Sequence, residues 1–180
     1  MTRKAVLVLL VLALAAAPVF AQFRLEVGAV APLGGGYFDS AHQFHNEEDI
    51  FGGKIFPVPE LGLSFRIPLF GFMRLGVGIR AFSAIIQTVA FPTIYTEAML
   101  GPLVLEAQLG GLAFASFGTL GSSFHTGVKV LIPDISAWLA LGKKGIIRIG
   151  GGVIGIGGTD LIDTGFPVLY YAGAKIVLNP

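Results

Sequence analysis

The feature that most constrains the fold is a strict alternation of apolar with polar or glycine residues. It recurs in eight segments, at 23–31, 60–67, 73–81, 94–100, 103–110, 124–132, 146–153 and 168–178. In the third segment, for example, Leu75 lies between Arg74 and Gly76. Because successive side chains of a strand point to opposite faces, this period of two predicts eight β-strands, each with one apolar face.

Charged residues within these segments all fall on the face that also holds glycine and polar residues. They are Arg24, Glu26, Glu60, Arg66, Arg74, Arg80, Glu97, Glu106, Lys129, Arg148 and Lys175. Only 13% of the chain is charged, against about 25% in an average soluble domain, while 54% is hydrophobic. So apolar a chain is expected to turn its apolar face outward to lipid and its charged face inward.

Two kinds of structure cross a bilayer, because every backbone polar group in lipid must be paired: helices and closed barrels. The 26 glycines disfavour helices, and an uncharged stretch at 107–124 is interrupted by glycine and serine. The sequence therefore predicts an all-β fold, a closed antiparallel eight-stranded transmembrane β-barrel. The alternative is a soluble secreted β-barrel that binds a ligand, since such barrels also alternate.

Residues 1–21 have the three parts of a cleaved signal peptide. Arg3 and Lys4 precede an apolar run, Pro18 breaks it, and Ala21 offers the small side chain that signal peptidase needs. We expect residues 22–180 to be the mature barrel, located in the bacterial outer membrane. Its first strand then starts in the periplasm, and the connections at 34–53, 83–92, 116–123 and 154–165 are predicted to be outer loops.

The connection at 133–144 is expected on the inner side, where turns are usually short. Its Pro133 start and apolar residues predict a turn of helix or strand at the membrane interface, with Trp138 in the inner aromatic girdle.

The signal peptide, the eight alternating segments and the long outer connections resemble the small bacterial outer-membrane barrels of the OmpA, OmpX and OmpW type. The likeness covers the whole mature chain and is one of pattern rather than of a specific motif. Members of that group usually end their last strand with an aromatic residue, whereas this chain ends Leu178-Asn179-Pro180. The OmpW resemblance implies a cavity that opens to the outside and takes a small apolar ligand.

Two functions remain open for such a barrel. In the first, the inward charges pair in an ion network that plugs the lumen, and the protein is structural or surface-exposed. In the second, it is a narrow channel or transporter for small apolar solutes. Eight inward glycines are expected to leave unfilled volume for the second: Gly28, Gly62, Gly76, Gly78, Gly127, Gly150, Gly152 and Gly173.

The first outer loop contains a weak candidate metal site. Its possible ligands are His42, His45, Glu47, Glu48 and Asp49, but their spacing matches no defined site. No cofactor is predicted.

An enzyme is not expected. His125 follows Ser122 and Ser123, but no carboxylate has a spacing that would orient this histidine. Nucleic acid is not an expected partner, because the mature chain has ten positive and eleven negative residues and no basic stripe. The expected partners are outer-membrane lipid and, for the second function, a small apolar ligand. The barrel is expected to be a monomer.

Overall fold

The computed structural model describes residues 22–39, 41, 43–47, 54–84, 86–142, 144–158 and 166–179. The strands are β1 (Gln22–Phe38), β2 (Phe44–Glu47), β3 (Val58–Phe70), β4 (Met73–Ser83), β5 (Gln87–Leu100), β6 (Leu103–Gly118), β7 (Ser123–Leu141), β8 (Ile147–Gly155), β9 (Gly157–Gly158) and β10 (Phe166–Leu178). Among the described residues there is no helix with the length and hydropathy needed to cross a membrane. The predicted signal peptide at 1–21 lies outside the described residues.

Eight long strands form a closed antiparallel barrel in the order β10-β8-β7-β6-β5-β4-β3-β1. The last strand pairs with the first, from Leu25 opposite Leu178 to Phe38 opposite Phe166, which closes the sheet. Each long strand therefore has a neighbour on both sides, so the barrel wall has no open edge. This confirms the fold predicted from the sequence and implied by the family resemblance.

Short turns join the strands at the end of the barrel where β1 begins, which we call the inner end. They lie at 71–72, at 101–102 and between β7 and β8. Gly101 has φ of 67°, in the left-handed region that glycine occupies without strain.

The outer connections are shorter than predicted at two places. Gln87 pairs with Gly118, so β5 extends through most of the expected loop at 83–92 and β6 through the start of the expected loop at 116–123. These strands of 14 and 16 residues exceed the roughly 9–11 that cross a bilayer. Their outer ends are paired strand instead of loop.

The expectation for 133–144 was wrong. Strand β7 runs without a break to Leu141, and Pro133 pairs with Leu109 within the sheet. Nearer its N-terminal, outer end, β7 has a large bulge. Gly111 of β6 pairs with Leu131, but Ala113 pairs with Thr126, so four residues of β7 lie opposite one residue of β6. The bulge changes which residues of β7 face inward, as bulges in barrels often do.

Apolar side chains cover the outer wall on all eight long strands. Examples that are more than two-fifths exposed are Val27, Phe65, Val77, Ile94, Leu105, Ile135, Ile149 and Ile176. The buried set, in contrast, contains more polar and charged residues than apolar ones. The distribution is the inverse of that in a soluble barrel.

Candidate functional site in the barrel interior

The structure places ten of the eleven charged residues predicted to face inward inside the barrel. They are Arg24, Glu26, Glu60, Arg66, Arg74, Arg80, Glu97, Glu106, Arg148 and Lys175, and all but the partly exposed Arg74 are buried. Lys129 is the exception and corrects the prediction. It lies in the β7 bulge, is exposed, and lines a groove on the outer wall with Leu131 and Phe166.

Glu97 of β5 is the most shared carboxylate of the interior. It is fully buried and lies 2.8 Å from Nη1 of Arg24 and 2.7 Å from Nη1 of Arg148. Nη1 of Arg74 donates to it over 3.2 Å, and Arg66 lies 3.7 Å away. Four guanidinium groups from four strands thus meet around one carboxylate.

Glu106 of β6 is the second shared carboxylate. It accepts hydrogen bonds of 2.7 Å from Arg24 and from Arg148, and one of 2.6 Å from Nζ of Lys175. The same ammonium group also donates to Glu26 over 3.3 Å, and Glu26 contacts Arg24. Because these ion pairs share members, removal of one member affects several others.

We call this assembly the inner ion cluster: Arg24, Glu26, Arg66, Arg74, Glu97, Glu106, Arg148 and Lys175. Its members come from seven of the eight long strands. Arg66 also ties the strand ends together, because it donates to the side chain of Gln22 and to the backbone carbonyl of Asn179.

A smaller outer ion cluster lies further along the lumen and consists of Glu60, Arg80 and Asp134. Nε of Arg80 donates to Glu60 over 2.6 Å, and its Nη1 donates to Asp134. The hydroxyl of Tyr171 donates to the other oxygen of Asp134 over 2.8 Å. Asp134 was missed from the sequence because it follows Pro133 in a stretch that was interpreted as a connection.

Trp138 of β7 lies inside the lumen and not in the inner aromatic girdle, which corrects that prediction. It is 1% exposed, and its indole nitrogen donates to Ser136 over 2.9 Å. Nζ of Lys175 lies 4.3 Å from the ring centroid, within the range of a cation–π interaction. With Trp138, β7 also contributes a side chain that contacts the inner ion cluster, so all eight long strands take part.

Aromatic rings fill the space over two buried glycines of the interior, whereas Gly127, which was predicted to face inward, is exposed in the β7 bulge. Tyr95 lies over Gly76, where an added Cβ would be 2.3 Å from the ring, and Phe91 lies over Gly110 at 2.5 Å. Tyr95 also exchanges a hydrogen bond of 3.0 Å with Ser64. The glycines here make room for bulky neighbours, as in the known pairing of glycine with a cross-strand aromatic.

Replacing Gly76 by alanine is expected to lower the free energy of unfolding by about 1–3 kcal/mol, because the methyl group would overpack against Tyr95. Denaturant titration followed by the fluorescence of Trp138, the one tryptophan in the chain, measures this. Gly71→Ala is the matched control, since nothing lies within 4 Å of its added Cβ. Equal stability of both variants would contradict the packing of Tyr95.

Little free space remains between the two ion clusters. A cavity of about 20 Å³, room for about one water, is lined by Arg24, Ser64, Arg80 and Gln108 among others. Beyond the outer ion cluster the lumen widens into an apolar vestibule of about 170 Å³. Its lining residues are Val30, Pro32, Val58, Arg80, Phe82, Ile154, Leu169 and Tyr171.

The candidate metal site falls partly outside the described residues, which omit His42, Glu48 and Asp49. His45 pairs with Asp39 at 2.7 Å, and this hydrogen bond lowers the pKa of the Asp39 carboxyl. Glu47 is exposed on β2. Within the described part of the chain, no group of three histidine or acidic residues could hold a metal ion.

His125, Ser122 and Ser123 lie exposed at the outer end of the barrel, around the start of β7. His125 pairs in the sheet with Phe114.

Comparison with known proteins gives likenesses of structure only. The sequence matches no protein-family model, and no curated protein is similar to it. Neisserial surface protein A aligns with 87% of this chain and 97% of its own at 10% identity, with a TM-score of 0.45. The N-terminal β-barrel domain of Pseudomonas aeruginosa OprF aligns with 88% of this chain and 99% of its own at 11% identity, with a TM-score of 0.39. Ail, the attachment invasion locus protein of Yersinia pestis, aligns with 88% of this chain and 97% of its own at 8% identity, with a TM-score of 0.38.

Proposed function

We propose that this chain is an integral outer-membrane β-barrel protein with a lumen plugged by its two ion clusters, and that its role is structural or surface-exposed. The observation that supports this most is the inverted distribution of side chains. Glu97 and Arg148 are at most 1% exposed inside the barrel, while Val77 and Ile135 are 61% and 70% exposed on its wall.

The apolar outer wall favours a lipid environment over water. Monomeric soluble proteins rarely expose continuous apolar patches larger than a few hundred Å². Here apolar side chains such as Phe65, Val77 and Ile94 are neighbours in register across β3, β4 and β5. The proposed signal peptide at 1–21 would deliver the chain across the inner membrane, which makes the outer membrane its destination.

The inner ion cluster supports a closed lumen. Seven long strands contribute charged side chains to it, and Trp138 of the eighth packs against Lys175. Arg24, Glu97 and Glu106 are at most 2% exposed. Opening a path for water or ions would require several coupled ion pairs to separate at once.

The purified protein is expected to give no conductance steps in planar lipid bilayers, because the paired side chains occlude the lumen. The double variant Glu97→Ala/Arg148→Ala, which removes both members of a pair, is expected to open a path and give measurable steps. Leu105→Ala, on the outer wall of β6, is the control and should give no conductance steps.

Conductance steps from the unchanged protein would instead favour the second function, a narrow channel or transporter for small apolar solutes. The observation in its favour is the apolar vestibule, whose walls include Val30, Phe82 and Ile154. This vestibule ends at the contact between Arg80 and Asp134. It therefore supports binding of a small apolar ligand from outside better than passage through the barrel.

A further inference from the structure

A second pocket, of about 360 Å³, opens at the inner end of the barrel, and we call it the inner-mouth pocket. The turns at 101–102 and between β7 and β8 form its rim, and Arg74, Lys144 and Arg148 line it. Arg74 and Arg148 stand at the starts of β4 and β8, whereas Lys144 is exposed on the turn. All three charged residues of the lining are cations.

The charge behind this pocket is also unbalanced. Among the described residues, the inner ion cluster has five cations, Arg24, Arg66, Arg74, Arg148 and Lys175, for the carboxylates of Glu26, Glu97 and Glu106. Both arginines of the pocket share Glu97 with two further guanidinium groups. Their positive charge is therefore only partly neutralised from within the protein.

Within the described part of the chain, Arg148 is one of several buried arginines in the inner ion cluster with a nitrogen that lacks a hydrogen-bond partner. Its side chain is 1% exposed, yet its Nε has no hydrogen-bond partner among the described residues. A buried donor without a partner costs about 1–3 kcal/mol, more when the group is charged. Arg24 and Arg66 also have buried nitrogens without a hydrogen-bond partner in the described ranges, so the inner ion cluster holds more cationic donors than its three carboxylates accept.

We propose that the inner-mouth pocket binds a phosphate group through Arg74, Lys144 and Arg148. Guanidinium groups offer planar pairs of donors that match phosphate oxygens, and the lysine adds a flexible point charge. The excess of two positive charges in the inner ion cluster favours an anionic ligand, and a phosphate group offers at least two oxygens as acceptors. The low-dielectric barrel wall around the pocket focuses this potential on its mouth.

This inference goes beyond the proposed function and does not depend on the plug. The phosphate can come from two sources: a soluble phosphate compound on the inner side, or the headgroup of a phospholipid in the adjacent leaflet. Both sources present non-bridging phosphate oxygens to the same three side chains.

The first arm of the test titrates inorganic phosphate into the purified protein in a maltoside detergent, followed by calorimetry. Saturable binding is expected, and Lys144→Gln should weaken it about tenfold, the effect of one charge-assisted hydrogen bond. Lys129→Gln is the matched control, because it removes an exposed lysine from the outer wall and should leave binding unchanged. Heat-modifiable gel mobility checks that both variants are folded.

The second arm measures the phospholipid that stays bound to the barrel after extraction from vesicles of phosphatidylglycerol, by native mass spectrometry. Loss of bound lipid in Lys144→Gln but not in Lys129→Gln identifies a headgroup as the ligand. Phosphate binding with the same dependence and no such lipid identifies a soluble source. If Lys144→Gln and Lys129→Gln match the unchanged protein in both arms, the inner-mouth pocket is not a phosphate site.

Discussion

Replacing Glu97 by alanine is expected to lower the free energy of unfolding by about 3–5 kcal/mol, the usual cost of removing one partner of a buried ion pair. Glu97 is fully buried and bonded to Arg24 and Arg148 within 2.8 Å. Without it, these guanidinium groups stay desolvated and lose a shared counter-ion. Denaturant titration in lipid vesicles, followed by Trp138 fluorescence, measures the loss.

Two further variants separate this effect from simple loss of packing. Leu105→Ala removes an apolar side chain of similar size from the outer wall, 41% exposed, where lipid can fill the gap. It should cost clearly less than Glu97→Ala. Adding Arg148→Ala to Glu97→Ala should cost less than the sum of the single changes, because the second change removes a cation that has already lost one of its two counter-ions. Strict additivity would show that the inner ion cluster is not coupled.

The position of charged residues on a single alternating face of each segment was enough to predict the barrel and most of the charged residues in its interior. Arg74 and Arg80 share a face of β4 because they are an even number of residues apart, and a regular strand preserves that relation. The same rule puts Glu97 of β5 and Glu106 of β6 on the inner face, and the short turn at 101–102 brings them opposite each other in register. One sequence is sufficient for this inference, since it depends on the geometry of a regular strand alone.

The errors in assigning faces on β7 come from the place where this strand is not regular. On β7 the bulge between Thr126 and Leu131 shifts the alternation, so Lys129 points outward and Asp134 inward. Nothing in the local sequence gives the size of that bulge, because it depends on pairing with Gly111 of the neighbouring strand. Pro133 added to the error, since proline usually marks the end of a strand.

The volume of the lumen was also not predictable from parity. Glycine on the inner face suggested open space, whereas Tyr95 and Phe91 cover Gly76 and Gly110 from the adjacent strand. Which residue lies opposite each glycine depends on the register between strands, and the turns fix that register. The sequence pattern thus predicts which face of the sheet a side chain lies on, whereas the register between strands decides which side chains it contacts.

Replacing Val77 by arginine tests which face of the barrel meets lipid. Val77 is 61% exposed near the middle of β4, between Phe65 and Ile94 in register. An arginine at the midplane of a bilayer costs a membrane barrel roughly 2–4 kcal/mol, because its charge must leave water. We expect a loss of that size in the free energy of unfolding measured in vesicles.

The control for Val77→Arg is the same substitution at Phe72, which is 54% exposed in the inner turn next to Phe70. Near the membrane interface an arginine reaches water and costs only about 0–1 kcal/mol. In a soluble barrel both positions would face water, so the two variants would be equally stable. A clear difference between Val77→Arg and Phe72→Arg therefore supports the membrane-spanning barrel, and equal stability supports the soluble one.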